Sequence, residues 1–231
     1  MRTQELAEES VAKPRIRAGR PPRKQAGEVD TRILDAARLV FLERGLAGAS
    51  IDEIAARAGA GKPTIYARFP GKEALFAAVV MREVEGKVAR AESALHAEGD
   101  LETRLHEMAE QILERALTNE TIDLMRLSIS EARRFPALAS GVHGMACERG
   151  AEAVARILGE AAQADPLGAL PPFAAERLPA TARFLLDVIF APLILKALFG
   201  EKLEVLRARI PEHAAWSVGV FLAGCRSGAM G

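Results

Sequence analysis

The chain is poor in the residues that build sheets and in those that cross-link. Its 231 residues hold 44 alanines against 32 Val, Ile and Thr together, and aromatics make up 5%. That balance disfavours an all-β or doubly wound fold and favours helices. Two cysteines, Cys147 and Cys225, are too few for a disulfide framework or a four-ligand zinc site. No apolar run follows the first charges, so the N-terminus does not read as a secretory signal. The most apolar stretch, Phe184 to Phe199, is interrupted by Asp187, Pro192 and Lys196 and reads as too broken to span a bilayer. The expectation is a soluble, cytoplasmic chain. What is present is 49% apolar residues, enough for a core and too much for intrinsic disorder. The length suits one or two domains.

Net charge is zero, with 31 basic and 31 acidic residues, but the charge is segregated. Residues 11–24 contain Lys13, Arg15, Arg17, Arg20, Arg23 and Lys24 and no acid, a local charge of +6. Pro14, Gly19, Pro21 and Pro22 keep this arm from forming a continuous helix. Residues 1–27 are expected to be a disordered basic arm. Such an arm is a solvated tail in the plainer reading, or it lays Arg20 in a DNA minor groove.

From Asp30 a helical period begins. Ile33, Ala36, Ala37, Val40 and Phe41 form one apolar stripe, with Asp30 expected as N-cap and Gly45 as the stop. Ser50-Ile51-Asp52-Glu53 is a capping box that opens a short second helix. Gly59-Ala60-Gly61 ends it. Pro63 suits the first turn of a third short helix, with Ile65 and Phe69 inward and Thr64 and Arg68 outward. A long fourth helix opens at Lys72-Glu73. Beyond Gly99, helical stretches are expected at 101–118, 121–134, 137–163, 175–199 and 203–226, with breaks or kinks at Pro136, Pro166, Pro171-Pro172 and Pro211.

A capped helix, a glycine turn and a short helix with polar outer residues make a helix-turn-helix. Its residue types suit a duplex: Thr64 and Tyr66 can donate to phosphate oxygens, and Lys62 and Lys72 can neutralise phosphates. Arg68 can present its fork to guanine O6 and N7. Gly59-Ala60-Gly61-Lys62-Pro63-Thr64 looks like a phosphate-binding loop but lacks a glycine at Ala56, a hydroxyl directly after the lysine, and a preceding strand.

Residues 31–76 resemble the DNA-binding domain of the tetracycline-repressor (TetR) family. The resemblance is carried by Phe41 to Gly45, by Ser50 to Gly59, by Lys62-Pro63-Thr64-Ile65-Tyr66-Ala67-Arg68-Phe69, and by Lys72-Glu73-Ala74-Leu75. It implies phosphate contacts at Ser50, Thr64, Tyr66 and Lys72, and groove-facing positions at Lys62, Pro63 and Arg68. Gly61 departs from the family, standing where a hydroxyl often caps the recognition helix. Pro63 stands where glycine or alanine is commoner.

The resemblance implies an all-α chain: a three-helix DNA-binding domain at 28–75, then a larger effector-binding and dimerisation domain at 76–231. Leu127 to Leu138 resembles a segment of one subset of these effector domains, and the helices near 175–199 and 207–226 resemble the dimerising pair. An apolar effector cavity is expected between Met108, Ile112, Met125, Ile129, His143, Met145, Phe184 and Phe190, although such residues also serve as plain core packing. The implied function is a homodimeric, ligand-responsive regulator, most simply a repressor, on a pseudo-palindromic operator. A regulator whose C-terminal domain only dimerises is the alternative. No catalytic residue, metal site or cofactor is expected: His96, His106, His143 and His213 are scattered, with no paired-carboxylate or metal-spaced motif.

Overall fold

A computed structural model describes residues 23–94, 100–163 and 169–228. Among the described residues ten α-helices run in order: α1 (Arg23–Gly48), α2 (Ile51–Ala58), α3 (Lys62–Tyr66), α4 (Lys72–Ala94), α5 (Leu101–Ala116), α6 (Asn119–Glu131), α7 (Pro136–Gln163), α8 (Leu178–Leu198), α9 (Leu203–Ala208) and α10 (Ile210–Arg226). A 3-10 turn at Pro171–Phe173 precedes α8. No strand occurs among the described residues, as the composition requires.

Local chemistry explains most boundaries. The Glu53 amide donates to Ser50 Oγ at 3.2 Å, and Gly59 closes α2 in the left-handed region at φ 58°. Pro63 occupies the first turn of α3, whose Gly61 cap supplies no side-chain bond. Asp100 and Thr118 cap α5 and α6 through the amides of Thr103 and Thr121. Pro136 starts α7 rather than kinking a helix.

Three expectations are corrected. The first helix begins at Arg23, so Asp30 lies inside it and is not its N-cap; of the expected arm, residues 23–27 are helical and residues 1–22, Arg20 included, lie outside the described residues. Gly45 does leave helical geometry, at φ 71° and ψ 170°, but the chain resumes a turn through Gly48. The expected 203–226 helix is two, α9 and α10, which meet at Arg209 ahead of Pro211.

The apolar stripes assemble two cores. One packs Ile33, Val40, Phe41, Leu46, Ile54, Ile65, Leu75, Phe76 and Val79 from α1–α4, with Phe41 and Phe76 edge to face at 5.4 Å. A boundary after residue 75 falls one turn into α4. Leu124 of α6 is 4% exposed and belongs to this same core. The other core joins α5, α7, α8 and α10 around Leu105, Met108, Leu158, Leu185, Ile189 and Phe221. Two glycines bring α7 close to α8: a Cβ on Gly150 or Gly159 would stand 3.1 Å from Leu186 or 3.2 Å from Leu178.

Helix α8 passes through Pro192 without ending. Proline removes the amide that would bond the Val188 carbonyl; beside it, His213 Nε2 of α10 donates to the Ile189 carbonyl at 2.9 Å. By length and composition α8 could cross a membrane, and a third of its most apolar window is buried inside the protein. Its apolar side rests on the larger core.

Candidate nucleic-acid interface

Helix α3 is five residues long, and Ile65 is its one buried residue. Ile65 is fully buried in the head core, which turns Lys62, Pro63 and Tyr66 outward and leaves Thr64 half-buried. Tyr66 is 53% exposed, so its phenol is accessible to a phosphate oxygen. Phe69 donates its amide to the Ile65 carbonyl at 2.8 Å and packs against the core, fixing the exit of the turn. Thr64 and Arg68, expected outward, are half-buried, and Lys62 and Tyr66 form the exposed polar edge instead.

The seven expected contact residues that are described divide by what already holds them, Arg20 lying outside the described residues. Ser50 is exposed; its oxygen accepts from Glu53, which leaves the hydroxyl proton to donate. Lys62 pairs with Asp52 of α2 across the turn, both side chains more than half exposed. Such a pair contributes little and opens readily to a phosphate. Pro63, Thr64 and Tyr66 have no competing side-chain partner described. Arg68 and Lys72 are different.

Arg68 is half-buried, and its Nε donates to Asp30 of α1 while Nη1 donates to the Thr64 carbonyl at 3.1 Å. Lys72 Nζ donates to the carbonyls of Ala47 and Ala49, both at 3.0 Å. These two cations fasten α3 and α4 onto α1.

Further ties, not anticipated from the sequence, stiffen the head. Arg57 of α2 forks onto Glu43 of α1, Nη1 to Oε1 at 2.8 Å and Nη2 to Oε2 at 2.6 Å, and also reaches Glu53 at 2.8 Å. That hydrogen-bonded fork holds the Glu43 carboxyl below its usual range and raises the guanidinium further. Arg82 of α4 spans to Asp35 at 2.7 Å and to the Thr31 carbonyl at 3.1 Å. The Glu131 carboxylate of α6 accepts from the Leu46 and Ala47 amides at 3.0 and 3.4 Å. A stop at Gly45 signals that amides just beyond it need an acceptor; it does not say that the acceptor lies 85 residues away.

The expected effector residues do not converge on one cavity. Met108 is fully buried in the larger core, and Ile112, Met125 and Phe190 pack partly buried against it. Ile129, His143, Met145 and Phe184 are exposed, Ile129 at 60%. Helical spacing places residues on a stripe; it does not say which neighbour covers that stripe. Two open clefts carry charged side chains. One of about 420 Å³ lies between α4, α5 and α9, walled by Lys87, Arg90, Glu114, Arg115 and Arg207. Burial, then the nearby Arg90, lowers the Lys87 pKa against the opposing pull of Glu83. A second cleft of about 340 Å³ lies where Leu42 of α1 meets Asp123, Arg126 and Leu127 of α6.

Residues 33–79, which carry α2, α3 and the Gly59 turn, match the sequence profile of the bacterial regulatory proteins of the tetR family. Residues 103–225 match that of the AefR-like transcriptional repressor C-terminal domain. The chain belongs to the TetR family. As a TetR-family regulator it carries a DNA-binding helix-turn-helix followed by a larger helical domain. The HTH-type transcriptional activator FasR of Mycolicibacterium smegmatis is 41% identical over 78 residues, which are 34% of this chain and 36% of that protein. The matched part is thus about a third of that curated relative. A TetR-family regulator from Mesorhizobium loti MAFF303099 shares the fold with a TM-score of 0.69 and 27% identity, over 86% of this chain and 97% of its own. The flavonoid-responsive regulator FrrA has a TM-score of 0.62 and 27% identity over 86% and 97%.

Proposed function

We propose that this TetR-family regulator is a cytoplasmic homodimeric repressor that binds a pseudo-palindromic operator and is released by a small apolar effector. The observation that carries the DNA reading is the placement of α3: Ile65 anchors it while Lys62, Pro63 and Tyr66 project outward. Ser50 and Thr64 flank that edge; of the four expected phosphate contacts, Ser50, Thr64 and Tyr66 are kept, while Lys72 is engaged by two backbone carbonyls. The repressor sense rests on the AefR-like C-terminal domain.

Pairing through α8 and α10 is supported by the apolar side chains they leave in solvent. Phe184, Leu195, Trp216 and Val220 are each 46% exposed or more, and a run of large apolar groups on two adjacent helices marks an association surface. Two heads so paired read half-sites about one helical turn, roughly 10 bp, or a multiple apart. The effector reading rests on the partly buried Ile112, Met125 and Phe190, where flexible methionine can rearrange around a guest, and on the flavonoid response of FrrA. The division of the eight expected lining residues between core and surface favours a second reading, in which the larger domain only dimerises.

Selection of duplexes from a random pool by the full-length protein tests the DNA reading. The expected outcome is an inverted repeat bound with strong salt dependence. Removing residues 1–22 flattens the salt slope by about 0.9 for each arm cation that touches phosphate. A pool that never enriches refutes operator binding. A thermal-shift screen of apolar small molecules separates the two effector readings.

A further inference from the structure

Beside the apolar packing of Leu124, one carboxylate ties the two domains by hydrogen bonds. Glu131 ends α6, in the larger domain, and its Oε1 accepts from the backbone amides of Leu46 (3.0 Å) and Ala47 (3.4 Å), in the corner between α1 and α2. The corner exists because Gly45 turns to φ 71°, a conformation that favours glycine. That turn frees the following amides from their helical partners. A Cβ at Gly45 would come within 3.0 Å of the same Oε1. Glycine therefore serves twice here, once for the turn and once for the approach of the carboxylate.

From the opposite side, Lys72 Nζ holds the carbonyls of Ala47 and Ala49. The four residues 46–49 are thus gripped between α6 and the first turn of α4. Ser50, the cap of α2, follows directly. Whatever fixes residues 46–49 relative to α6 fixes α2, and with it α3, relative to the body that carries the dimerising helices.

We propose that Glu131 is a positioning residue that sets the half-site spacing the dimer accepts, by fastening the α1–α2 corner of each DNA head to α6. Its carboxylate faces the corner at Leu46 and Ala47 and is not part of the exposed edge of α3. Its effect is on where each head stands, not on which bases a head prefers. The inference rests on the dimeric operator-binding reading above.

The test uses the full-length protein with Glu131→Ala and Glu131→Gln. Glutamine keeps a carbonyl Oε1 that accepts from Leu46, so it is the conservative rescue; alanine removes the acceptor. Amide hydrogen exchange is followed at Leu46 and Ala47, and binding is measured on a library in which the selected half-sites are held constant and the spacer varies one base pair at a time. In Glu131→Ala the two amides are expected to exchange about tenfold faster, the scale of a lost hydrogen bond to a charged acceptor. The preference for the best spacer over its neighbours is expected to fall about tenfold, with base preference inside each half-site unchanged. Glu131→Gln is expected to retain most of both.

Equal loss at every spacer and every base, in both variants and with a lowered melting temperature, would mean that Glu131 only stabilises the fold, and would overturn the inference. So would an unchanged spacer profile in Glu131→Ala while the wild type binds its selected DNA. A wild type that selects no DNA overturns the operator-binding reading itself, and this inference with it.

Discussion

Arg68 and Asp30 face each other across α3 and α1, and their ion pair ties the reading helix to the first helix of the head. The Thr64 carbonyl takes a second guanidinium proton. Arg68 must therefore give up Asp30 before it can reach a base edge. Arg68→Ala is expected to cost about 1 kcal/mol of stability, the scale of a partly exposed pair, measured by chemical denaturation. Asp30→Asn is expected to cost a similar amount yet to strengthen binding to the selected duplex, because it releases the guanidinium. If Asp30→Asn weakens binding in proportion to its loss of stability, Arg68 is a strut and not a reader. A base-specific loss of about 1–3 kcal/mol at one position in Arg68→Ala marks a bidentate guanine contact.

Lys62 and Lys72 both look like phosphate ligands by position, but their surroundings separate them. Lys62 shares only an exposed pair with Asp52. Lys72 holds two carbonyls at 3.0 Å. Lys62→Gln is expected to leave the melting temperature unchanged and to flatten the log–log salt slope by about 0.9 per lost phosphate contact. Lys72→Met is expected to destabilise the head by about 1–3 kcal/mol, since two half-buried carbonyls lose a charged donor, with the salt slope unchanged. Denaturation curves together with binding at several salt concentrations read both outcomes.

Lys87 lines the charged cleft beside α5, and burial lowers its pKa from the ordinary 10.5. A lysine whose folded pKa is depressed makes the charged folded state costly. That cost is fully present below the folded pKa and fades as the pH rises toward the unfolded value. Lys87→Met is therefore expected to stabilise the protein at neutral pH, with the gain shrinking as the pH approaches 10.5. Denaturation midpoints of the two proteins, measured from pH 7 to 10.5, check the sign.

Trp216 is 61% exposed on α10 and lies over the His213 ring at 6.4 Å. Aromatic side chains at the centre of an interface carry a large part of its energy, about 2 kcal/mol or more. Trp216→Glu is expected to weaken dimerisation by at least thirtyfold while leaving the monomer folded, as read by sedimentation. Operator binding falls with it, since one head alone covers one half-site.

The head was legible in the sequence wherever its structure is local. Ser50 with Glu53, the Gly59 stop and the Pro63 start each depend on neighbours within a turn, and the periodic stripe of α1 identified its buried side. What escaped reading joins distant segments. Asp30 looked like a cap because acids open helices; its partner is Arg68, 38 residues on. Lys72 looked like a phosphate ligand because the carbonyls it holds, Ala47 and Ala49, lie 25 and 23 residues back. Glu131 sits where no local pattern demands an acid. The effector residues failed to converge for a related reason: Ile129 and Met145 have the right spacing, but on sides of α6 and α7 that no other helix covers in the chain described.

Leu124 has a consequence for anyone treating this family as interchangeable parts. It grows from the larger helical domain yet fills space inside the DNA-binding head. Cutting the chain after α4 and grafting its head onto a foreign body would leave an apolar socket open to water, and the graft would succeed only where the recipient offers its own plug.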